Sequence, residues 1–102
     1  MDYIVRFHPE AEKEYSEAYR WYEEQLEGLG ERFESAIERQ INLIGNNPEN
    51  YPKKKLNCRE SKTEIFPYLI VYKFYPHEKL VFVVSVFHTS RKPTKKYRKR
   101  IL

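Results

Sequence analysis

The sequence predicts an α+β fold in which a helical layer covers one face of a sheet. Three observations support this: a short stretch near the start alternates with period two, two central stretches repeat apolar residues every three or four positions, and two later runs are rich in β-branched and aromatic residues. The predicted order is an N-terminal strand, a helical hairpin and a three-stranded antiparallel meander, β-α-α-β-β-β. With 102 residues, 40% of them hydrophobic, we expect one domain spanning 1–102.

The first strand and the first helix follow each other directly. Tyr3–Phe7 alternates as a half-buried strand does. His8-Pro9-Glu10 then predicts a helix start, because proline fits the first helical turn and glutamate suits the positive end of the helix dipole. One face of this helix is apolar, with Tyr19 and Trp21 at its margins. Its predicted members are Ala11, Tyr15, Ala18, Tyr22 and Leu26.

A second helix completes the hairpin. Gly28-Leu29-Gly30 interrupts the first helix, after which the apolar period resumes. The resumed face consists of Phe33, Ala36, Ile37, Gln40, Ile41 and Ile44. We expect Gly45 to end this helix in the left-handed conformation, with Pro48 preventing its continuation.

Three strands are predicted in the second half. Leu56–Ser61 is expected to form an edge strand next to lysines that discourage intermolecular pairing. Tyr68–Tyr75 and Leu80–His88 read as central strands joined by a polar four-residue hairpin loop. Since both are apolar at nearly every position, both faces should be covered, one of them by the helical hairpin.

Charge is unevenly distributed along the chain. Residues 1–47 hold eleven acids and five bases, whereas residues 48–102 hold four acids and fourteen bases. The basic C-terminal segment, about 89–102, contains seven of those bases and no acid. This asymmetry suggests a polyanionic partner, with a merely solubilising tail as the alternative. The candidate target- or nucleic-acid-binding residues are Lys53, Lys54, Lys55, Arg91, Lys95, Lys96, Arg98, Lys99 and Arg100.

Several classes of protein find no support in the sequence. The N-terminus lacks the features of a secretory signal, no apolar run is long enough to span a membrane, and the single Cys58 allows no intrachain disulfide. These features predict a cytoplasmic protein without membrane contact. Phosphate-loop, zinc and serine-hydrolase motifs are missing from the sequence, so we expect no metal and no cofactor.

Catalysis without a metal has only a few candidate residues. Metal-independent RNA cleavage needs a proton acceptor, a proton donor and cations that stabilise the charged transition state. The guanidinium groups of Arg59 and Arg91 suit phosphate oxygens, His88 titrates near neutrality, and Tyr97 is a weaker candidate. The same arginines could instead pair with carboxylates, and His88 could simply end a strand. Residue types alone therefore leave open whether the protein is an enzyme.

Taken in order, several segments resemble the RelE/ParE superfamily of type II toxins, and are most similar to its ParE-like, plasmid-stabilisation branch. These segments are Ala11–Tyr22, Gly28–Phe33, Ile44–Pro52, Arg59, Phe66–Tyr72 and His88–Pro93, followed by Tyr97 and Arg98. The resemblance implies a toxin neutralised by the acidic or amphipathic C-terminal segment of a cognate antitoxin. It also implies contact with operator DNA only through the toxin–antitoxin complex.

The resemblance implies two different activities. ParE-type members poison DNA gyrase, whereas RelE-type members cut mRNA on the ribosome. Arg59 and His88 fall where nuclease members carry sheet residues of this kind, but the ending His88-x-x-Arg91-x-Pro93 is the ParE-like version. Our main prediction is therefore a ParE-like toxin that inhibits growth by binding an intracellular target such as DNA gyrase. The alternatives are a ribosome-dependent mRNA endonuclease and a basic nucleic-acid-binding module without catalysis.

Overall fold

The computed structural model describes residues 3–90 and contains the predicted elements in the predicted order. The helices are α1 (Pro9–Gln25) and α2 (Leu29–Asn46). The strands are β1 (Ile4–Phe7), β2 (Arg59–Lys62), β3 (Tyr68–Tyr75) and β4 (Leu80–His88). The sheet order is β1-β4-β3-β2, in which β2, β3 and β4 form the expected antiparallel meander. The α+β prediction is confirmed.

Strand β1 adds a parallel pair that the sequence pattern does not specify. Ile4 lies opposite Leu80 and Phe7 opposite Val83, so β1 covers only the first half of β4. Farther along, Val71 pairs with Ser85 but Tyr72 pairs with Val83, which leaves Val84 as an extra residue in β4. An extra residue bends the strand and changes which face the following side chains occupy.

Helix α1 begins as predicted and ends one residue before Leu26. His8 is its N-cap, with Nδ1 accepting a hydrogen bond from the Glu10 N–H at 3.0 Å. The predicted buried position of Leu26 is wrong, because this residue is extended and 61% exposed. The chain leaves the helix here to reach Gly28, whose φ of 88° suits glycine.

Helix α2 continues through the predicted stop. Gly45 lies inside the helix and is buried, so the predicted left-handed cap at this residue is wrong. The helix instead ends at Asn47, whose N–H donates to the carbonyls of Leu43 and Ile44. Pro48 follows and begins a short 3-10 turn, so proline still marks the boundary. The Gly45 carbonyl accepts from the Tyr3 N–H and thereby joins α2 to the segment before β1.

The edge strand is shorter than predicted. Leu56–Ser61 does not form one strand, because Leu56 and Asn57 have φ angles of 56° and 60° and belong to a 3-10 turn over Lys55–Asn57. Positive φ angles are incompatible with an extended strand. The strand therefore begins at Arg59 and continues to Lys62.

Two apolar clusters lie on opposite faces of the sheet. Between the sheet and the helices are the predicted faces of α1 and α2, without Leu26, together with Ile70, Tyr72, Val81 and Val83. On the other face are Cys58, Val71, Phe82, Val84 and Phe87, all buried. Cys58 is fully buried, and burial raises the pKa of its thiol, so it behaves as a small core residue. The expectation that both sheet faces are covered is confirmed.

Candidate functional site

The bases before β2 form an exposed basic edge of the sheet. Lys53, Lys54 and Lys55 are all exposed, and Lys53 forms an isolated antiparallel bridge with Arg59. Residues 51–63 carry five bases and one acid. The two helices together carry nine acids and four bases. The charge split in the sequence therefore separates an acidic helical layer from a basic sheet edge.

A polar cleft of about 470 Å³ opens at this edge. Its charged lining residues are Lys53, Arg59, Lys73 and Glu49. An excess of bases in a partly enclosed cleft favours anionic ligands, because low-dielectric walls strengthen the local field.

The side chain of Arg59 is hydrogen-bonded to the backbone of the preceding segment. Its guanidinium donates to the carbonyl of Tyr51 at 2.7 Å and to that of Glu49 at 3.3 Å. Next to it, the buried Tyr72 hydroxyl donates to the Pro48 carbonyl. Burial raises the pKa of Tyr72, and the nearby Arg59 charge opposes that increase. Arg59 thus holds the α2–β2 connection against the sheet, although the sequence suggested a phosphate clamp.

Gln40 extends this polar cluster into the core. Its amide nitrogen donates to the Ser61 hydroxyl, and more weakly to the Tyr51 hydroxyl at 3.3 Å. The sequence pattern placed Gln40 on the apolar face of α2, and that position is confirmed because the residue is buried. The pattern gave no sign of its partners, since Ser61 lies 21 positions away.

His88 lies opposite Tyr68, the first residue of β3, and beside a groove. Its ring is 5.1 Å from that of Tyr68 in an edge-to-face arrangement. Its Nδ1 accepts from the Ser90 N–H at 3.1 Å, which places the proton of the neutral ring on Nε2. The groove measures about 400 Å³. We call it the His88 groove, and it is lined by Glu17, Ala18, Trp21, Tyr22, Tyr68, His88 and Ser90.

The structure does not bring Arg59 and His88 together. Arg59 pairs with Tyr72, whereas His88 pairs with Tyr68. Four residues along a strand correspond to roughly 13 Å. The other predicted site residues, Arg91, Lys95, Lys96, Tyr97, Arg98, Lys99 and Arg100, lie outside the described residues.

Sequence reasoning missed two residues of the His88 groove. Trp21 was assigned to the margin of the apolar face, yet it is 56% exposed. Glu17 was not among the predicted site residues, and its exposed side chain lines the same groove. The available signal was their spacing, because residues four apart on a helix are neighbours.

The described part of the chain has neither a cluster of metal ligands nor a membrane-spanning helix. Between residues 3 and 90, no three His, Cys, Asp or Glu side chains come together in a way that could hold a metal ion. No helix in the same range is long and apolar enough to cross a membrane.

Solved structures place this architecture in the RelE/ParE class of folds. The chromosomal ParDE toxin–antitoxin system from P. aeruginosa matches with a TM-score of 0.73 at 11% identity, covering 84% of this chain and 95% of that chain. Isolated E. coli RelE matches with a TM-score of 0.66 at 21% identity, covering 90% and 89%. An E. coli RelE double mutant in complex with a RelB antitoxin peptide matches at 0.65 and 22% identity, covering 100% of both chains.

The family follows from the sequence itself. A model described as the ParE toxin of the type II toxin–antitoxin system parDE matches residues 5–93. This chain therefore belongs to the ParE toxin family of type II toxin–antitoxin systems, as its sequence segments predicted. Membership implies an antitoxin partner. A search of curated protein sequences gave no match.

Proposed function

We propose that this protein inhibits bacterial growth in the cytoplasm by binding an intracellular target, with DNA gyrase as the first candidate, until a cognate antitoxin neutralises it. The family match over residues 5–93 carries this proposal. In the proposed complex, an acidic or amphipathic C-terminal segment of the antitoxin covers the basic edge. Operator DNA is contacted only through that complex.

The geometry supports binding more than cleavage. Arg59 already donates to two backbone carbonyls, and the pairing of the strands separates it from His88. A transition-state clamp needs donors that converge on one reacting phosphate. The exposed Lys53, Lys54 and Lys55 instead offer a surface that steers and binds an acidic segment.

The first experiment is tightly controlled induction of this chain in a bacterial culture. Growth, an SOS reporter and mRNA integrity are followed in the same samples, with and without co-expression of the adjacent small open reading frame. We expect growth arrest with an SOS response and intact mRNA, relieved by the neighbouring gene. Arrest with mRNA cut at ribosomes would instead identify a nuclease, and unimpaired growth would overturn the proposal.

A pair of double variants tests the basic edge directly. Lys53→Ala/Lys54→Ala removes two exposed bases from the edge, whereas Lys13→Ala/Arg20→Ala removes two from the helical layer. Both variants lower the net charge equally. We expect only the first to weaken binding of the purified antitoxin, measured by calorimetry. Equal losses would show that net charge, and not the basic edge, controls the interaction.

A further inference from the structure

We propose that the His88 groove binds a guanine base. The groove has aromatic side chains on both sides. Helix α1 contributes Trp21 and Tyr22, whose rings are 5.2 Å apart and nearly perpendicular. The β3–β4 hairpin contributes Tyr68 and His88. Its volume of about 400 Å³ lies within the ~300–1,000 Å³ range of small-ligand sites.

Trp21 is the strongest indication of a ligand. It exposes 56% of its surface, so more than half of the residue is open to solvent. Its contact with Tyr22 is edge-to-face, an arrangement that does not require burial of both faces of the indole. Exposed aromatic rings are the usual stacking platforms for unpaired bases.

Glu17 supplies a reason for guanine in particular. It lies one helical turn before Trp21, lines the groove, and makes no ion pair within residues 3–90. A carboxylate offers two acceptor oxygens, and the Watson–Crick edge of guanine offers two adjacent N–H donors. Adenine, cytosine and uracil present a donor beside an acceptor, so they match a carboxylate less well.

His88 and Ser90 favour a base over an apolar side chain from a protein. With Nδ1 accepting from Ser90, the neutral ring presents an Nε2–H donor that forms no hydrogen bond within residues 3–90. An apolar side chain would leave this donor and the Glu17 carboxylate without partners, which is costly once water is excluded.

The single tryptophan makes the proposal directly testable. Trp21 is the only tryptophan in the chain, so fluorescence excited selectively in tryptophan, and not in the nine tyrosines, reports on this groove. Protein made by cell-free synthesis, which avoids toxicity, is titrated with GMP, AMP, CMP and UMP. Free tryptophan amide corrects for optical absorption. We expect saturable quenching by GMP, with at least about fivefold weaker binding of the other nucleotides, which corresponds to the low end of about 1–3 kcal/mol for one bidentate base contact.

Two substitutions separate recognition from folding. Glu17→Gln keeps the shape but removes the carboxylate, so the preference for GMP should disappear while weak quenching by all four nucleotides remains. Glu24→Gln removes a carboxylate from the same helix outside the groove and should retain the preference. Equal binding of the four nucleotides by the parent protein, no saturable quenching, or a GMP preference that survives Glu17→Gln would each overturn the proposal.

A last titration distinguishes the source of the base. A single-stranded RNA hexamer with one guanine is compared with an all-adenine hexamer and with GMP. Tighter binding of the guanine hexamer than of GMP would identify single-stranded RNA as the source, and equal binding would identify a free nucleotide. Both results support the guanine site, and neither depends on growth inhibition. Loss of the guanine dependence in the hexamers would contradict the site.

Discussion

Two polar regions beside β3, one at Tyr72 in its middle and one at Tyr68 at its start, differ in what their hydrogen-bonding groups contact. In the Arg59 cluster, formed by Gln40, Pro48, Tyr51, Arg59, Ser61 and Tyr72, side chains bond to the fold itself. In the His88 groove, the Glu17 carboxylate and the Nε2 of His88 form no hydrogen bond within residues 3–90. Residue type marked Arg59 and His88 as similar candidates. Within residues 3–90, the Arg59 guanidinium bonds to the backbone, whereas the Nε2 of His88 has no hydrogen-bond partner.

Among the variants that test this comparison, Arg59→Ala should cause the largest loss of stability. It removes charge-assisted hydrogen bonds to the Tyr51 and Glu49 carbonyls, so we expect the free energy of unfolding to fall by about 2 kcal/mol. Urea unfolding measures the change. Lys62→Ala, an exposed base on the same strand, is the matched control and should change stability by less than about 0.5 kcal/mol. Similar losses of stability in both variants would show that Arg59 has no specific structural role.

Tyr72→Phe should give the next largest effect. The buried hydroxyl donates to the Pro48 carbonyl, and its removal leaves that acceptor without its partner. We expect a loss of about 1–2 kcal/mol in the free energy of unfolding. Tyr3→Phe is a suitable control, since the Tyr3 hydroxyl forms no hydrogen bond within residues 3–90. An unchanged urea midpoint for Tyr72→Phe would mean that the bond contributes nothing to stability.

Alkaline pH tests the same hydroxyl in another way. The pKa of Tyr72 is raised by burial, so the folded state keeps the proton that the unfolded state releases near pH 10. The contribution of the protonated Tyr72 hydroxyl to the free energy of unfolding is complete below about pH 10. It is lost as the pH rises above that value. Tyr72→Phe should therefore lose stability less steeply than the parent protein between pH 9 and 11, the range about one unit either side of the ordinary tyrosine pKa. Some slope remains, because the pKa of Tyr15 is also raised. Parallel curves would contradict this linkage.

Leu56→Gly should change stability by a smaller amount and in the opposite direction, towards a more stable protein. Leu56 has a φ of 56° and is 56% exposed, so it carries left-handed strain with little burial in return. We expect glycine to stabilise the protein by about 0.5–1 kcal/mol. Leu56→Ala shortens the side chain without relieving the strain, and it should not stabilise. If both variants behave alike in thermal unfolding, side-chain loss and not backbone strain accounts for the result.

Most of the fold could be predicted because its signals are local. The period of the apolar residues located both helices, and Tyr68–Tyr75 and Leu80–His88 coincide with β3 and β4. The wrong predictions at Leu26, Gly45 and Leu56 all concern the boundary of a helix or strand. At Leu56 in particular, an apolar residue in a polar loop looks like the start of a strand. Only the backbone angle shows otherwise.

The candidate site was less predictable because its contacts join distant positions. Arg59 bonds to the carbonyl of residue 51, and Glu17 lines a groove with His88, 71 positions away. The parallel pairing of β1 with β4 brings α1 beside the end of β4, and no local pattern encodes it. The sequence could therefore select residue types for the site. It could not show which of them already had partners.

His88→Ala should have the smallest effect on stability and completes the comparison with Arg59→Ala. The side chain is only half-buried, and its ring makes an edge-to-face contact with that of Tyr68. We expect the free energy of unfolding, measured with urea, to change by less than about 1 kcal/mol. GMP quenching of Trp21 should nevertheless weaken, because the Nε2–H donor is lost. A large loss of stability would place His88 among the structural residues with Arg59, and the contrast between the two regions would no longer hold.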